Sequence, residues 1–200
     1  MNECKRSENN WTRVAVFAGG DRGHYRTDFD CFVGVDRGSL WILEEDLPLA
    51  LAVGDFDSVT ADERQLIQKR ALSFVQAHPE KDDTDLELAL LTIFEQNPQA
   101  QTTIFGALGG RIDHMLANVF LPSNPKLAPY MSQIAIEDGQ NVISYCPEGT
   151  SQLEPSSDYD YLAFMPVRDS QLTIIGAKYE LTEENFFFKK VYASNEYIDR

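Results

Sequence analysis

Two aspartates separated by one residue, Asp55-Phe56-Asp57, follow directly on the apolar run Leu49-Ala50-Leu51-Ala52-Val53 and Gly54. A run of that kind reads as a buried strand, so both carboxylates fall where a core element ends. In an extended segment residues at i and i+2 share a side, which groups Asp55 with Asp57 and turns Phe56 the other way. Two carboxylates converging in a cleft repel, and the repulsion raises one pKa unless a cation lies between them. Oxygen ligands suit Mg²⁺, which takes one or two carboxylates and completes its shell with substrate phosphates and water. The alternative is a solvated loop in which Asp57 caps the following helix. Gly54 permits close backbone approach in the first case and a tight turn in the second.

Similar residues collect after four other strand-like runs. Gly19-Gly20-Asp21 follows Arg13 to Phe17, and Asp36-Arg37-Gly38-Ser39 follows Cys31 to Val35. His78-Pro79-Glu80-Lys81-Asp82-Asp83-Thr84-Asp85 follows Leu72 to Gln76, and Gly109-Gly110-Arg111-Ile112-Asp113-His114 follows Thr103 to Ala107. Singly, Gly-Gly is a turn and an Asp beside a helix start is a cap. Together they mark a shared cleft, because ligands of open α/β sheets bind beyond the carboxyl ends of the strands. Asp82, Asp83 and Asp85 either complement a helix dipole, or Asp85 shares a metal or the proton of an attacking nucleophile. Thr84 caps that helix on either account. Gly109-Gly110-Arg111 at a helix start offers backbone N–H groups and a guanidinium, a receptor for phosphate. Asp113 and His114 lie on the first turn of that helix, and His114 alone is no evidence for acid–base catalysis. Motifs of the form G-x-x-x-x-G-K-[ST], G-x-G-x-x-G and G-x-S-x-G are absent, as is any Cys/His cluster of zinc spacing. The residues point to a Mg²⁺-dependent site for a polyphosphate, most simply a nucleoside triphosphate, with Arg111 and glycine N–H groups on its oxygens.

The elements that must position these residues differ between the two halves. Up to about Tyr130 the five strand-like runs alternate with helical patterns. Thr60-Ala61-Asp62-Glu63 and Thr84-Asp85-Leu86-Glu87 are capping boxes. The first opens a helix to about Lys69. The second precedes an apolar stripe of Leu86, Ala89, Leu90, Ile93 and Phe94. A third helix carries Met115, Leu116, Val119 and Phe120. Such alternation implies a mostly parallel sheet with helices on both faces. After Pro122-Ser123-Asn124-Pro125 short strands dominate: Gln133 to Glu137 and Asn141 to Tyr145 around the turn Asp138-Gly139, then Tyr161 to Val167, Leu172 to Ile175 and Phe186 to Tyr192. The expected division is an α/β domain over 11–130 and a small antiparallel β-sandwich over 131–200. The second is near the lower size limit for an independent core and is expected to lean on the first domain, a partner chain or residues beyond Arg200.

Composition bounds the partners. The chain has 200 residues, 43% of them hydrophobic, with 32 acidic against 17 basic residues and a formal charge of −15. That balance disfavours nucleic acid and anionic membrane surfaces, and it requires a cation or local basic groups wherever phosphate binds. Cys4, Cys31 and Cys146 form neither a C-x-x-C pair nor a disulfide framework, which suits a reducing, cytoplasmic setting. The polar start MNECKRSENN, expected to fray, has no apolar core, and no apolar run approaches 18 residues, so neither a signal peptide nor a membrane span is expected.

Asp36-Arg37-Gly38-Ser39, Gly54-Asp55-Phe56-Asp57-Ser58, Glu80 to Asp85 and Gly109 to His114, in that order and spacing, resemble the thiamine pyrophosphokinase family. Gly176-Ala177-Lys178-Tyr179-Glu180-Leu181 and Ser194-Asn195-Glu196 resemble its C-terminal strands, so the likeness runs from about Val14 to Tyr197. The resemblance implies an N-terminal α/β catalytic domain, a C-terminal β-sandwich, and a homodimer with active sites between subunits. It implies transfer of a pyrophosphoryl group from ATP to the hydroxyethyl oxygen of thiamine, with Mg²⁺ as cofactor and AMP released. By position, Asp55, Asp57, Asp85 and Asp113 correspond to metal-site acids, and with Arg111 they form the catalytic set. Asp85 also orients or deprotonates the thiamine hydroxyl. Gly19, Gly20, Asp36, Gly38, Thr84, Gly110, Arg111 and His114 correspond to the ATP side, and Ser194 and Asn195 to the thiamine side. Arg37 departs from the Asp-Gly-Gly of many members, and Arg200 comes soon after a motif that closing strands usually follow. The alternatives are a Mg²⁺-dependent pyrophosphokinase of another small alcohol, such as a pterin carbinol, and a non-catalytic nucleotide-binding module.

Overall fold

The runs Val14 to Phe17, Cys31 to Val35 and Leu49 to Val53 are short and continuous in apolar residues because the sheet they build is covered on both sides. The computed structural model describes residues 11–77, 82–167 and 171–198. The N-terminal tail with Cys4, and His78 to Lys81 of the fourth strand-end motif, lie outside the described residues. Seven strands form one sheet: β1 Arg13–Phe17, β2 Cys31–Val35, β3 Leu49–Gly54, β4 Ser73–Gln76, β5 Gln101–Phe105, β6 Ile134–Glu137 and β7 Val142–Ser144. Their order is β4-β3-β2-β1-β5-β6-β7, with every neighbouring pair parallel except β6–β7. β5 begins and ends two residues before the expected run of Thr103 to Ala107. Gly106 follows it in the left-handed region, at φ 68°, and turns the chain out of the strand.

Alternate residues serve opposite faces. Val14, Val16, Val33, Val53 and Ile104 pack with Leu86, Ala89, Leu90, Ile93 and Phe94 of helix α3, Asp85–Gln96. Ala15, Phe17, Phe32, Ala52 and Phe105 pack on the other face with Leu40, Trp41 and Ile42 of α1, Gly38–Glu44, and Ile67 of α2, Ala61–Arg70. The stripe expected on α3 is thus its buried face. Both capping boxes form: Thr60 and Thr84 hydroxyls accept from the backbone N–H of Glu63 and Glu87, whose carboxylates accept from the threonine N–H at 2.7 Å. The third helix, α4, spans Ile112–Val119. Helix α1 gave no sequence signal. It is seven residues long, has no side-chain cap, and its apolar residues run consecutively instead of at helical spacing.

Strands β6 and β7 do make the hairpin expected at Asp138-Gly139, but β6 pairs parallel with β5 and extends the large sheet. Ile134 and Ile136 are buried in the core beside Ile104, and the Tyr145 hydroxyl donates to the Val119 carbonyl at 3.1 Å, tying this segment to α4. The hairpin's apolar face completes the first core, and by packing the first compact unit runs to Glu148 and the second begins at Gly149. The antiparallel β half expected after it is realised as a small unit. Strands β8 Leu162–Phe164 and β9 Tyr192–Asn195 pair antiparallel, and isolated bridges join Ile174 to Leu181 and Ala177 to Tyr197. The runs at Leu172 and Phe186 contribute one bridge and the approach to β9. Ile174, Ala177, Leu181 and Tyr192 form its core.

Candidate active site

The connection from β4 crosses to the far side of β1, so strand order reverses between β1 and β5. That is the topological switch point at whose carboxyl edge open α/β sheets bind ligands. Because β2 and β3 are parallel, with Val35 opposite Val53, the residues that follow them emerge side by side. Asp36 leaves β2 in the left-handed region, at φ 46°, with its N–H donating to the Val53 carbonyl at 2.9 Å. Its Oδ1 accepts from the Phe56 N–H at 3.0 Å. A Cβ on Gly54 would stand 1.9 Å from that Oδ1, so only glycine lets the Asp36 carboxylate occupy this place.

Asp55 follows Gly54, and Asp85 opens α3. One carboxylate oxygen from each of Asp36, Asp55 and Asp85 lies within 4.8 Å of the others, and all three residues are half-buried. Lost water contact, then the negative charges of Asp85, Asp55 and Asp57, push the Asp36 carboxyl up from 3.8 to about 6, although the Phe56 N–H favours its ionised form. Three converging carboxylates in one recess, one of them forced toward its neutral form, are a donor set suited to a hard divalent cation. Among the described residues this is the one acidic or histidine group so disposed. It contains Asp55 and Asp85 of the expected metal acids, brings in Asp36 from the expected nucleotide side, and leaves Asp57 and Asp113 outside.

The segment after Asp55 is a turn instead of an extended strand. Phe56 sits at φ 59°, and the Asp57 N–H donates to Asp55 Oδ1 at 3.0 Å. Phe56 does face away from the acids. It is buried and stacked on Phe74, with ring centroids 4.7 Å apart. The turn leaves Asp57 exposed, near enough to raise the Asp36 pKa. Arg37, in the position where glycine was expected, donates from Nη1 to the Ser58 carbonyl at 3.3 Å and so ties the loop after β2 to the loop after β3.

The remaining motif residues of the first unit lie at the ends of β1, β2 and β5 and at the start of α3. Gly19 and Gly20 are exposed at the end of β1, and the Gly20 N–H donates to the Gly106 carbonyl at 3.1 Å. Gly38 is buried at the start of α1, where a Cβ would meet the Phe17 carbonyl oxygen at 1.9 Å; its absence lets α1 press against β1. Thr84 caps α3. Gly109 and Gly110 have φ of 86° and 67°, a backbone that glycine adopts without strain. Arg111 pairs with Asp113 through two hydrogen bonds, of 2.7 and 3.2 Å, and both side chains are exposed. The pairing holds Asp113 below the usual carboxylate range and raises Arg111. His114 is exposed beside them. In the second unit Ser194 is exposed with φ 61°, whereas Asn195 is buried and its amide is engaged locally. Its Nδ2 donates to the Tyr179 carbonyl at 2.8 Å, and its Oδ1 accepts from the Tyr179 N–H at 2.9 Å.

Comparisons with known proteins agree with the motifs. Residues 23–130 match the family model for the thiamin pyrophosphokinase catalytic domain, and residues 150–200 match that for the thiamin pyrophosphokinase vitamin B1 binding domain. A thiamine pyrophosphokinase of Bacillus subtilis is 35% identical over 176 residues, covering 84% of this chain and 81% of its own. Among solved structures, a thiamin pyrophosphokinase family protein from Enterococcus faecalis superposes with a TM-score of 0.84 at 44% identity, covering 94% of this chain and 90% of that one. The structure of the Bacillus subtilis enzyme superposes with a TM-score of 0.70 at 32% identity, covering 93% and 90%. Matches to a catalytic-domain model and a vitamin B1 binding-domain model in that order, with relatives of the same fold covered over most of their length, lead to one conclusion: this chain belongs to the thiamine pyrophosphokinase family.

Proposed function

We propose that this protein transfers the pyrophosphoryl group of ATP to the hydroxyl of thiamine, giving thiamine diphosphate and AMP, with Mg²⁺ held by Asp36, Asp55 and Asp85. The observation that carries the metal assignment is the convergence of those three carboxylates at the strand ends. Bound there, Mg²⁺ supplies positive charge that offsets the phosphates and polarises their oxygens. The chain's own residues do the rest. Gly109-Gly110 N–H groups and Arg111 receive phosphate oxygens, Arg111 exchanging its Asp113 pairing for the nucleotide. Gly19, Gly20, Gly38 and Thr84 border the nucleotide, with His114 at its rim. Asp85 orients the thiamine hydroxyl and takes its proton as the new oxygen–phosphorus bond forms at the β-phosphorus. The bond from that phosphorus to the α-phosphate oxygen breaks, and AMP leaves with the electron pair. Catalysis of this kind rests on positioning and electrostatics. Asp57, at the edge of the acid trio, adds to the field that draws the cation.

Ser194 and Asn195 bind thiamine, and within the second unit the Asn195 amide also braces Tyr179. Several exposed apolar side chains of the second unit, Ile175, Tyr161 and Phe187 among them, support a homodimer in which a second copy covers them. No helix among the described residues is long and apolar enough to cross a membrane. Purified protein with Mg²⁺, ATP and thiamine is expected to form thiamine diphosphate and AMP in equal amounts. Formation of ADP in place of AMP, or turnover of a pterin carbinol but not thiamine, would overturn the reading. Light scattering on a size-exclusion column tests the dimer, and a monomer at working concentration would refute it.

A further inference from the structure

Asp85 can meet Asp36 and Asp55 only if the first turn of α3 is held against the sheet edge, and the capping box alone fixes that turn only to itself. A second set of contacts reaches it from the segment after α4. The Asn124 amide Nδ2 donates to Glu87 Oε1 at 2.9 Å and to Asp83 Oδ1 at 3.3 Å. Lys126 Nζ donates to the other oxygen of Asp83 at 2.6 Å, and the Lys126 N–H donates back to Asn124 Oδ1 at 3.0 Å. Glu87 thus uses one oxygen in the capping box with Thr84 and the other on Asn124. Asp83 and Glu87 flank Asp85 in sequence, two residues away on either side. The counterpart helix α2 has the same capping box, whose Glu63 makes only the local bonds with Thr60 among the hydrogen bonds of the described residues.

We propose that Asn124 and Lys126 are positioning residues for the metal site: they clamp Asp83 and Glu87 and thereby set where the Asp85 carboxylate stands. The assignment rests on the metal reading above. The two residues are not equivalent as probes. Removing the Lys126 charge weakens the clamp but also makes the recess more negative, which favours a cation, so the two effects oppose each other. Asn124 is neutral, and its loss changes geometry with no change in field. Outer partners that orient metal ligands typically contribute about 10–100-fold to metal affinity.

The test is Mn²⁺ binding to the nucleotide-free protein, followed by electron paramagnetic resonance, together with steady-state kinetics over a range of metal concentration. Asn124→Ala is expected to weaken Mn²⁺ binding and raise the half-saturating metal concentration by about tenfold. At saturating metal, kcat stays within about twofold of wild type, and KM for thiamine is unchanged. Gln133→Ala is the control for a lost bridging amide. Gln133 Nε2 donates to the Pro98 and Ala100 carbonyls just before β5, at 2.9 and 3.0 Å, and its loss is expected to lower the melting temperature without changing Mn²⁺ binding. Lys126→Arg keeps the bond to Asp83 and is expected to behave as wild type. If Asn124→Ala does not fold, Asn124→Leu, close in size and also neutral, removes the amide bonds to Asp83 and Glu87 and is expected to weaken binding at least as much. Wild-type Mn²⁺ affinity in a folded Asn124 variant overturns the clamp. Absence of Mn²⁺ binding in the wild type overturns the metal reading and the clamp with it.

Discussion

Asp36→Asn separates the cost of the acid trio from its use. In the folded protein the Asp36 carboxyl is pushed up to about 6 from 3.8. A raised acid pKa means that the ionised form is disfavoured by folding. The contribution is therefore neutral below about pH 4, grows unfavourable between about pH 4 and 6, and is constant above that. A shift of this size is worth about 3 kcal/mol at full value, and partial access to water reduces it to about 1–2 kcal/mol. Asparagine keeps an oxygen for the Phe56 N–H and removes the charge facing Asp55 and Asp85. In EDTA at pH 7.5 the variant should be more stable than wild type by about 1–2 kcal/mol, a rise in melting temperature of about 2–8 °C for a chain of this size. At pH 4 the two should melt together. Saturating Mg²⁺ should reverse the order at pH 7.5, because the cation binds the folded wild type more tightly and stabilises it by mass action. Melting followed by circular dichroism at the two pH values, with and without metal, reads all of this. A wild type at least as stable as Asp36→Asn in EDTA at pH 7.5, or a gap that persists at pH 4, would refute the reasoning.

Other perturbations test the parts around the trio. Asp85→Asn should lower kcat by at least about 100-fold, the scale on which a preorganised electrostatic partner is lost, in an assay of AMP release. Gly54→Ala drives a methyl into the Asp36 carboxylate; it should destabilise by about 2–4 kcal/mol in urea titration and abolish the stabilising response to Mg²⁺. Thr84→Ala removes the cap of α3 and should cost about 1 kcal/mol, read as a melting temperature lower by about 2–4 °C. Phe56→Ala empties a buried site and its stack on Phe74, for a loss of about 3–5 kcal/mol by denaturant unfolding.

What the chain declared in advance is what short-range chemistry specifies. The capping boxes at Thr60 and Thr84 and the stripe on α3 are local patterns, and each formed at its expected place. The buried strands announced themselves because a parallel sheet leaves neither face for water, and the carboxyl edge followed from alternating strands and helices. The motif order carried the family. Other features depend on distant neighbours. Asp36 joins Asp55 only because β2 and β3 are parallel with Val35 opposite Val53, and because Gly54 has no side chain to fill the space. Asp57 stands outside the acid trio because the chain turns at Phe56, whose ring finds Phe74 from a strand 18 residues on. The β6–β7 hairpin was visible, but its allegiance was not: Ile134 and Ile136 suit any apolar face, and only the open edge of β5 decided which. The family resemblance puts Asn195 on the thiamine side; that its amide also brackets Tyr179 depends on a residue 16 positions away and is visible only in the fold. Local periodicity is a property of a few consecutive residues. Which acids share a recess is a property of the sheet that brings their strand ends level.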